Sequence, residues 1–242
     1  MASIGLAFVV GNTQRFAEAG GGPICVDESM CSFKRPNVMF IVDYSTSMNT
    51  IWDLQNDLTR WEIVVTQLGQ VTAPGSFLSQ NTHLALLRFG HDPAPGIAGT
   101  TIPNETSGLV DGQALDVAWD DANHEYFDCA GEAIGDALAS VPAPMMGAQA
   151  GIGSWTKGAL DRAAAEIDET KADHPEDQQG PSSRRYVNVL LTDGLWTGAD
   201  GNTTQSPAGQ NPAIAAQSLY DDDGVPTYVV LIAGDAQAKA AA

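Results

Sequence analysis

The stretch from Val38 to Met48 constrains this chain more than any other. Val38-Met39-Phe40-Ile41-Val42 is an unbroken apolar run, bounded upstream by Pro36 and Asn37. A short run that is apolar at every position, not at alternate ones, predicts a strand buried on both faces, as in parallel sheets. The run ends in Asp43, and Ser45 and Ser47 follow at alternate positions. A carboxylate and two hydroxyls at the carboxyl end of a buried strand are hard oxygen donors, suited to Mg²⁺, Mn²⁺ or Ca²⁺.

Two further places carry donors of the same kind. Thr156 follows Gly153-Ser154-Trp155 and opens a helical pattern from Lys157 to Ile167, with Leu160, Ala164 and Ile167 on its apolar face. Asp193 closes a second apolar strand, Tyr186 to Leu191, in Leu-Leu-Thr-Asp-Gly. Gly194 supplies the freedom for positive φ that a tight turn beside such a site needs. Taken in order, Asp43-x-Ser45-x-Ser47, Thr156 and Asp193 resemble the metal-ion-dependent adhesion site of von Willebrand factor A (vWA) domains. D-x-S-x-S alone occurs by chance; the combination and its order are specific.

The resemblance covers residues 36–242 and implies a Rossmann-like, doubly wound α/β fold. It implies a mainly parallel sheet with helices on both faces, and strands before Asp43 and Asp193 that are neighbours. It also implies that Ser45, Ser47 and Thr156 contact the cation, that Asp43 and Asp193 often act through water, and that one position stays open for a partner's Asp or Glu. Mg²⁺ is the first choice, with Ca²⁺ or Mn²⁺ as alternatives. Leu-Leu-Thr-Asp-Gly and a Trp-bearing first helix look most like bacterial surface or secreted vWA proteins, which implies an extracellular or cell-surface setting. The sequence departs from the pattern at Thr46, where glycine is common, and at Ser154-Trp155, where smaller residues are usual. Trp155 either stands on the rim as a partner contact or packs beneath the loop. A vWA sheet usually has one more strand, so residues 37–242 are expected to be a domain shortened at its C-terminus, preceded by an extension over 1–36.

Charge narrows the partners. Eleven Lys and Arg against 30 Asp and Glu leave a net charge of −19. Nothing here could neutralise phosphates, so nucleic acid is excluded as a partner class, and anionic membrane surfaces with it. The same field concentrates divalent cations, although solubility alone explains most of these charges. No segment reaches membrane-spanning length, and Ile4 to Val10 lacks the positive start of a signal peptide. Cys25 and Cys31 could close a small loop, Cys129 is left over, and buried free thiols are the alternative. There is no C-x-x-C to favour zinc.

Along the chain, Leu54, Leu58, Trp61, Val65 and Leu68 recur at spacings of four and three. They predict one helix directly after the serine turn, with Asp53 in its first turn and Trp61 in the core. His83 to Phe89 is the next strand, with Arg88 solvated or paired. A short antiparallel edge strand is placed near Gly99 to Ile102. Asp116 to Asp128 reads as an acidic loop, with a second cation as the minor alternative. Its His124-Glu125 fails the H-E-x-x-H motif because Asp128 fills the last position. Gly131 to Val141 is a helix stopped by Pro142 and Pro144. Asp168 to Pro181 is a polar connection, and Ala213 to Tyr220 a helix ended by a surface turn of Asp221, Asp222 and Asp223. Pro226 to Ile232 is the last strand, with an alanine-rich helix after Gly234-Asp235. Such alternation predicts α/β architecture, with ligands at the strands' carboxyl ends where the order reverses.

Three functions fit. The first is a cation-dependent protein-binding or adhesion module that captures an acidic side chain. The second is a metal-dependent hydrolase or phosphoryl-transfer enzyme. No G-x-S-x-G, no phosphate-binding loop and no paired base support it, and His83, His91, His124 and His174 are scattered. The third is a structural domain whose ion merely stabilises it.

Overall fold

The computed structural model describes residues 34–91, 109, 112–120, 126, 131–144, 152–179, 182–201, 205 and 207–232. The chain forms a mixed, mostly parallel sheet with helices on both faces. Its order is β5-β4-β1-β6-β7, from β1 (Asn37–Asp43), β4 (His83–Phe89), β5 (Gln113–Val117), β6 (Tyr186–Thr192) and β7 (Thr227–Leu231). β1 lies at the centre, parallel to β4 and to β6; β5 is antiparallel to β4, and β7 parallel to β6.

Alternation along each strand decides which layer a side chain joins. Val38, Phe40 and Val42 of β1 meet Trp61, Val64 and Leu68 of α1 (Arg60–Val71) and, beyond the short α2 (Phe77–Asn81), Ile134 and Leu138 of α3 (Gly131–Ser140). Met39 and Ile41 face the opposite way. They join Ala159, Leu160, Ala163 and Ile167 of α4 (Thr156–Asp173), and Ala215 and Leu219 of α5 (Pro212–Asp223). Both faces of β1 are therefore dry, which is why it carries no polar residue between Asn37 and Asp43.

The helix expected directly after the serine turn starts later. Thr46–Asn49 is a single 3-10 turn, followed by a hairpin of β2 (Ile51–Asp53) and β3 (Leu58–Thr59). Asp53 does not cap a helix: its Oδ1 accepts from Gln55 N at 2.9 Å and Asn56 N at 3.3 Å, closing the hairpin turn. Leu54 at the tip is 87% exposed, not part of an apolar face. The helix begins at a capping box. Thr59 Oγ1 accepts from Glu62 N at 3.1 Å, and Glu62 Oε2 accepts from Thr59 N at 2.8 Å. That reciprocal pair overrides the apolar spacing, which runs on through the hairpin only by coincidence. Thr59→Ala is expected to cost about 1 kcal/mol in urea unfolding, with the same slope as wild type.

Other boundaries move as well. α4 runs on through Asp173, with Thr170 buried, so residues 168–173 are helix and not connection. Asp221 to Asp223 are the last turn of α5, and Gly224 (φ 66°) ends it in the left-handed conformation. Asp116 lies in β5, not in a loop, and Arg88 is paired with it; the guanidinium also stacks 4.8 Å over the Tyr44 ring. The strand expected near 99–102 and the helix after Gly234 lie outside the described residues, as do all three cysteines. Trp61 is core as expected, edge-on to Tyr44 at 5.1 Å.

Candidate metal centre

Chain order reverses between β1 and β6, and the crevice this opens at their carboxyl ends is where such sheets bind ligands. Asp43 is the last residue of β1 and is 0% exposed. Its Oδ1 accepts from Ser45 N at 2.8 Å. Its Oδ2 accepts from Ser154 Oγ at 2.8 Å and from Thr192 Oγ1 at 2.7 Å. One carboxylate thus ties together the first loop, the loop before α4 and the end of β6. Ser45 Oγ and Ser47 Oγ are 2.8 Å apart; Ser45 is buried and Ser47 is exposed on the rim.

Asp193 follows β6 and is 5% exposed. Arg60 Nη1 donates to its Oδ2 at 2.7 Å and lies 3.4 Å from the Ser47 carbonyl oxygen. Asp193 Oδ1 is buried without a hydrogen-bond partner. Gly194 has φ 99°, the positive value expected of the turn. Thr156 opens α4 two residues beyond Ser154 and is buried. Its Oγ1 lies 3.5 Å from the Ser154 carbonyl oxygen.

Four of the five expected residues are thereby linked through hydrogen bonds: Asp43 to Ser45, Ser45 to Ser47, and Asp193 to Ser47 by way of Arg60. Thr156 reaches the group through Ser154. The site also contains groups that reading the sequence did not single out. Ser154 repeats the alternate-position spacing, two before Thr156, and Thr192 directly precedes Asp193, so both were open to discovery. Arg60 carries no such signal, because its partner Asp193 lies 133 positions away in the chain.

Neighbouring loops lock the rim. Thr46 N donates to Ile152 O at 2.9 Å, and Ile152 N to Thr46 Oγ1 at 2.6 Å, a cross-link glycine at position 46 would halve. Ser154 N donates to Thr197 Oγ1 at 3.1 Å and Thr197 N to Ser154 O at 2.7 Å. A Cβ on Gly153 would come within 2.5 Å of Gly201 Cα, and one on Gly201 within 2.5 Å of the His91 ring. Trp155 is no free rim aromatic. Its Nε1 donates to Gln210 Oε1 at 2.7 Å, and its ring covers Gly158, where a Cβ would meet it at 2.5 Å.

Electrostatics set the character of the site. Burial, and then the nearby Asp193, push the Asp43 carboxyl from 3.8 up to about 6. The folded state therefore holds this proton more tightly than the unfolded chain. The resulting stabilisation is complete below about pH 4 and is lost as pH rises through about 6. Wild type minus Asp43→Asn, unfolded in urea with chelator, should lose on the order of 2–3 kcal/mol of relative stability from pH 4 to pH 7. A constant difference would contradict this.

Two close carboxylates among hydroxyls, one carrying an orphaned buried oxygen, fit a hard dication. Among the described residues there is no cluster of three or more His, Cys, Asp or Glu that could hold a metal, so hydroxyls would have to complete the ligand set. Beside Thr156 and Thr192 a groove of about 420 Å³ runs toward Trp196, Tyr220 and Val229. Among the described residues its lining holds no Asp, Glu, His, Lys or Arg, and Tyr220 is its titratable side chain.

No family model matches this chain, and no curated protein does. Solved structures similar to it include the pilus adhesin SpaC from Lactobacillus rhamnosus GG, at 15% identity and TM-score 0.49, covering 84% of this chain and 25% of that one. Proximal thread matrix protein 1 from the mussel byssus, with a zinc-occupied MIDAS motif, is similar at 12% identity and TM-score 0.45, covering 81% and 37%. The TFIIH p34 N-terminal domain is similar at 11% identity and TM-score 0.45, covering 88% and 86%. The chain thus spans about a third or less of the length of the first two.

Proposed function

We propose that residues 37–242 are a vWA-type domain that binds protein through a divalent cation, in an extracellular or cell-surface setting. Asp43, Ser45, Ser47, Thr156 and Asp193 would hold the ion, Mg²⁺ first and Ca²⁺ or Mn²⁺ as alternatives. The observation that carries this reading is the buried, unpartnered Oδ1 of Asp193, beside the buried Asp43 carboxylate and the Ser45–Ser47 hydroxyl pair. Neutral hydroxyls on the ion leave it electron-poor, so it gains from one more carboxylate. That carboxylate would be an Asp or Glu of the partner. Ile51, Trp52 and Leu54 of the hairpin between Ser47 and Arg60 are exposed and offer apolar contact area to that partner.

An array of acidic peptides, each paired with its Asn or Gln counterpart, tests the reading. Capture should require Mg²⁺, vanish with chelator, and be absent from the amide counterparts. Capture that persists in chelator would sink it. Enzymatic use of the ion is not favoured, since the groove beside Thr156 and Thr192 has no Asp, Glu, His, Lys or Arg among its described lining residues.

A further inference from the structure

Arg60 stands where a cation is unwelcome unless something else holds it. It is the first residue of α1, the positive end of the helix dipole, where a cation is disfavoured. Its backbone N donates to Thr50 O at 3.1 Å, pinning it to the base of the hairpin. Its side chain is only 17% exposed and points at Asp193. In a chain with 11 basic residues against 30 acidic ones, this guanidinium lies between Asp193 and the Ser47 carbonyl.

The pairing is also incomplete. Only Nη1 reaches the carboxylate; Arg60 Nε and Asp193 Oδ1 are both buried and unpartnered. A fork-to-fork pair would have satisfied both atoms. A one-point contact that leaves an orphan on each side is poorly optimised as a structural bridge, and easily surrendered.

We propose that Arg60 is an internal counter-cation that competes with the metal ion for Asp193. This rests on the metal-binding reading above. The guanidinium neutralises part of the charge of two buried carboxylates, and the ion must draw on the same Asp193. Arg60 therefore lowers the site's affinity for the ion while stabilising the protein without it. Because Arg60 begins α1 and is bonded to Thr50, surrender of Asp193 to the ion would also be felt by the hairpin carrying Trp52 and Leu54.

Titration of the full chain with Mg²⁺ and with Mn²⁺ by calorimetry and thermal melting tests this, using Arg60→Gln and Arg60→Lys. Arg60→Gln keeps a hydrogen-bond donor and removes the charge. It should melt lower than wild type in chelator yet bind the ion about tenfold tighter, since a unit charge a few ångströms away is worth at least that at an effective dielectric near 20. Arg60→Lys should stay close to wild type in affinity. Opposite movement of the two readouts is the signature, because a merely structural residue lowers both. Unchanged or weaker ion binding by Arg60→Gln, with wild type binding through Ser45, overturns the counter-cation role and leaves the metal site standing. Silence of wild type and Arg60→Gln alike overturns both.

Discussion

Ser45→Ala protein is expected to fold normally and to lose its response to Mg²⁺. The substitution removes one buried hydroxyl and its 2.8 Å contact with Ser47, while the backbone bond from residue 45 to Asp43 Oδ1 survives. Changing a group that merely supports a metal ligand costs about 10–100-fold in affinity, and deleting a ligand should cost at least the upper end of that range. Melting in a Mg²⁺ series reads this directly: the wild-type midpoint should climb with ion concentration, and that of the variant should stay flat. Equal climbs would remove Ser45 from the ligand set. The choice of serine matters, because Asp43 could not serve as cleanly. Its carboxylate also receives Ser154 and Thr192, so its loss would loosen three loops at once.

The largest expected effect on stability lies far from the site. Arg184→Ala should destabilise the protein by about 3–5 kcal/mol, because it leaves an uncompensated buried charge. Arg184 Nε donates to Asp177 Oδ1 at 2.6 Å, and both side chains are 1% exposed. Tyr126 OH also donates to Asp177, and Arg184 Nη1 reaches the Arg35 carbonyl at 2.6 Å. The Arg184 guanidinium lies 5.0 Å from the centre of the Tyr126 ring. This network joins the turn after α4 to the segments entering β1 and β6. Replacing the pair together, Arg184→Met with Asp177→Leu, should recover much of the loss, since no lone charge then remains. Urea unfolding of the three proteins checks both statements. A loss below about 1 kcal/mol for Arg184→Ala would mean that water reaches the pair.

The range of the forces involved decides which features of this fold are legible in the sequence. The fully apolar run Val38–Val42 and the largely apolar Tyr186–Leu191, broken only by Asn188, declare buried strands because hydrophobic pattern is a local signal. Asp43, Ser45 and Ser47 declare a hard-oxygen chemistry by side-chain type, but it is the 3-10 turn after β1 that brings the two hydroxyls to 2.8 Å from each other. Thr59 and Glu62 have the spacing of a capping box, but the four-and-three spacing through Leu54 and Leu58 imitates a helix and masks it. Hydrogen bonds of the capping box, not apolar spacing, decide where that helix begins.

Residue types and their order in the chain were thus enough to determine the α/β class, the central strands and the donor chemistry of the rim. Only the tertiary structure decided that Ser154 and Thr192 grip Asp43, that Trp155 lies flat on Gly158, and that Arg60 rests on Asp193. These pairings span from 3 to 149 positions in the chain. The long ones exist because parallel packing carries three loops to one end of the sheet, where burial forces each carboxylate to find a donor or a cation.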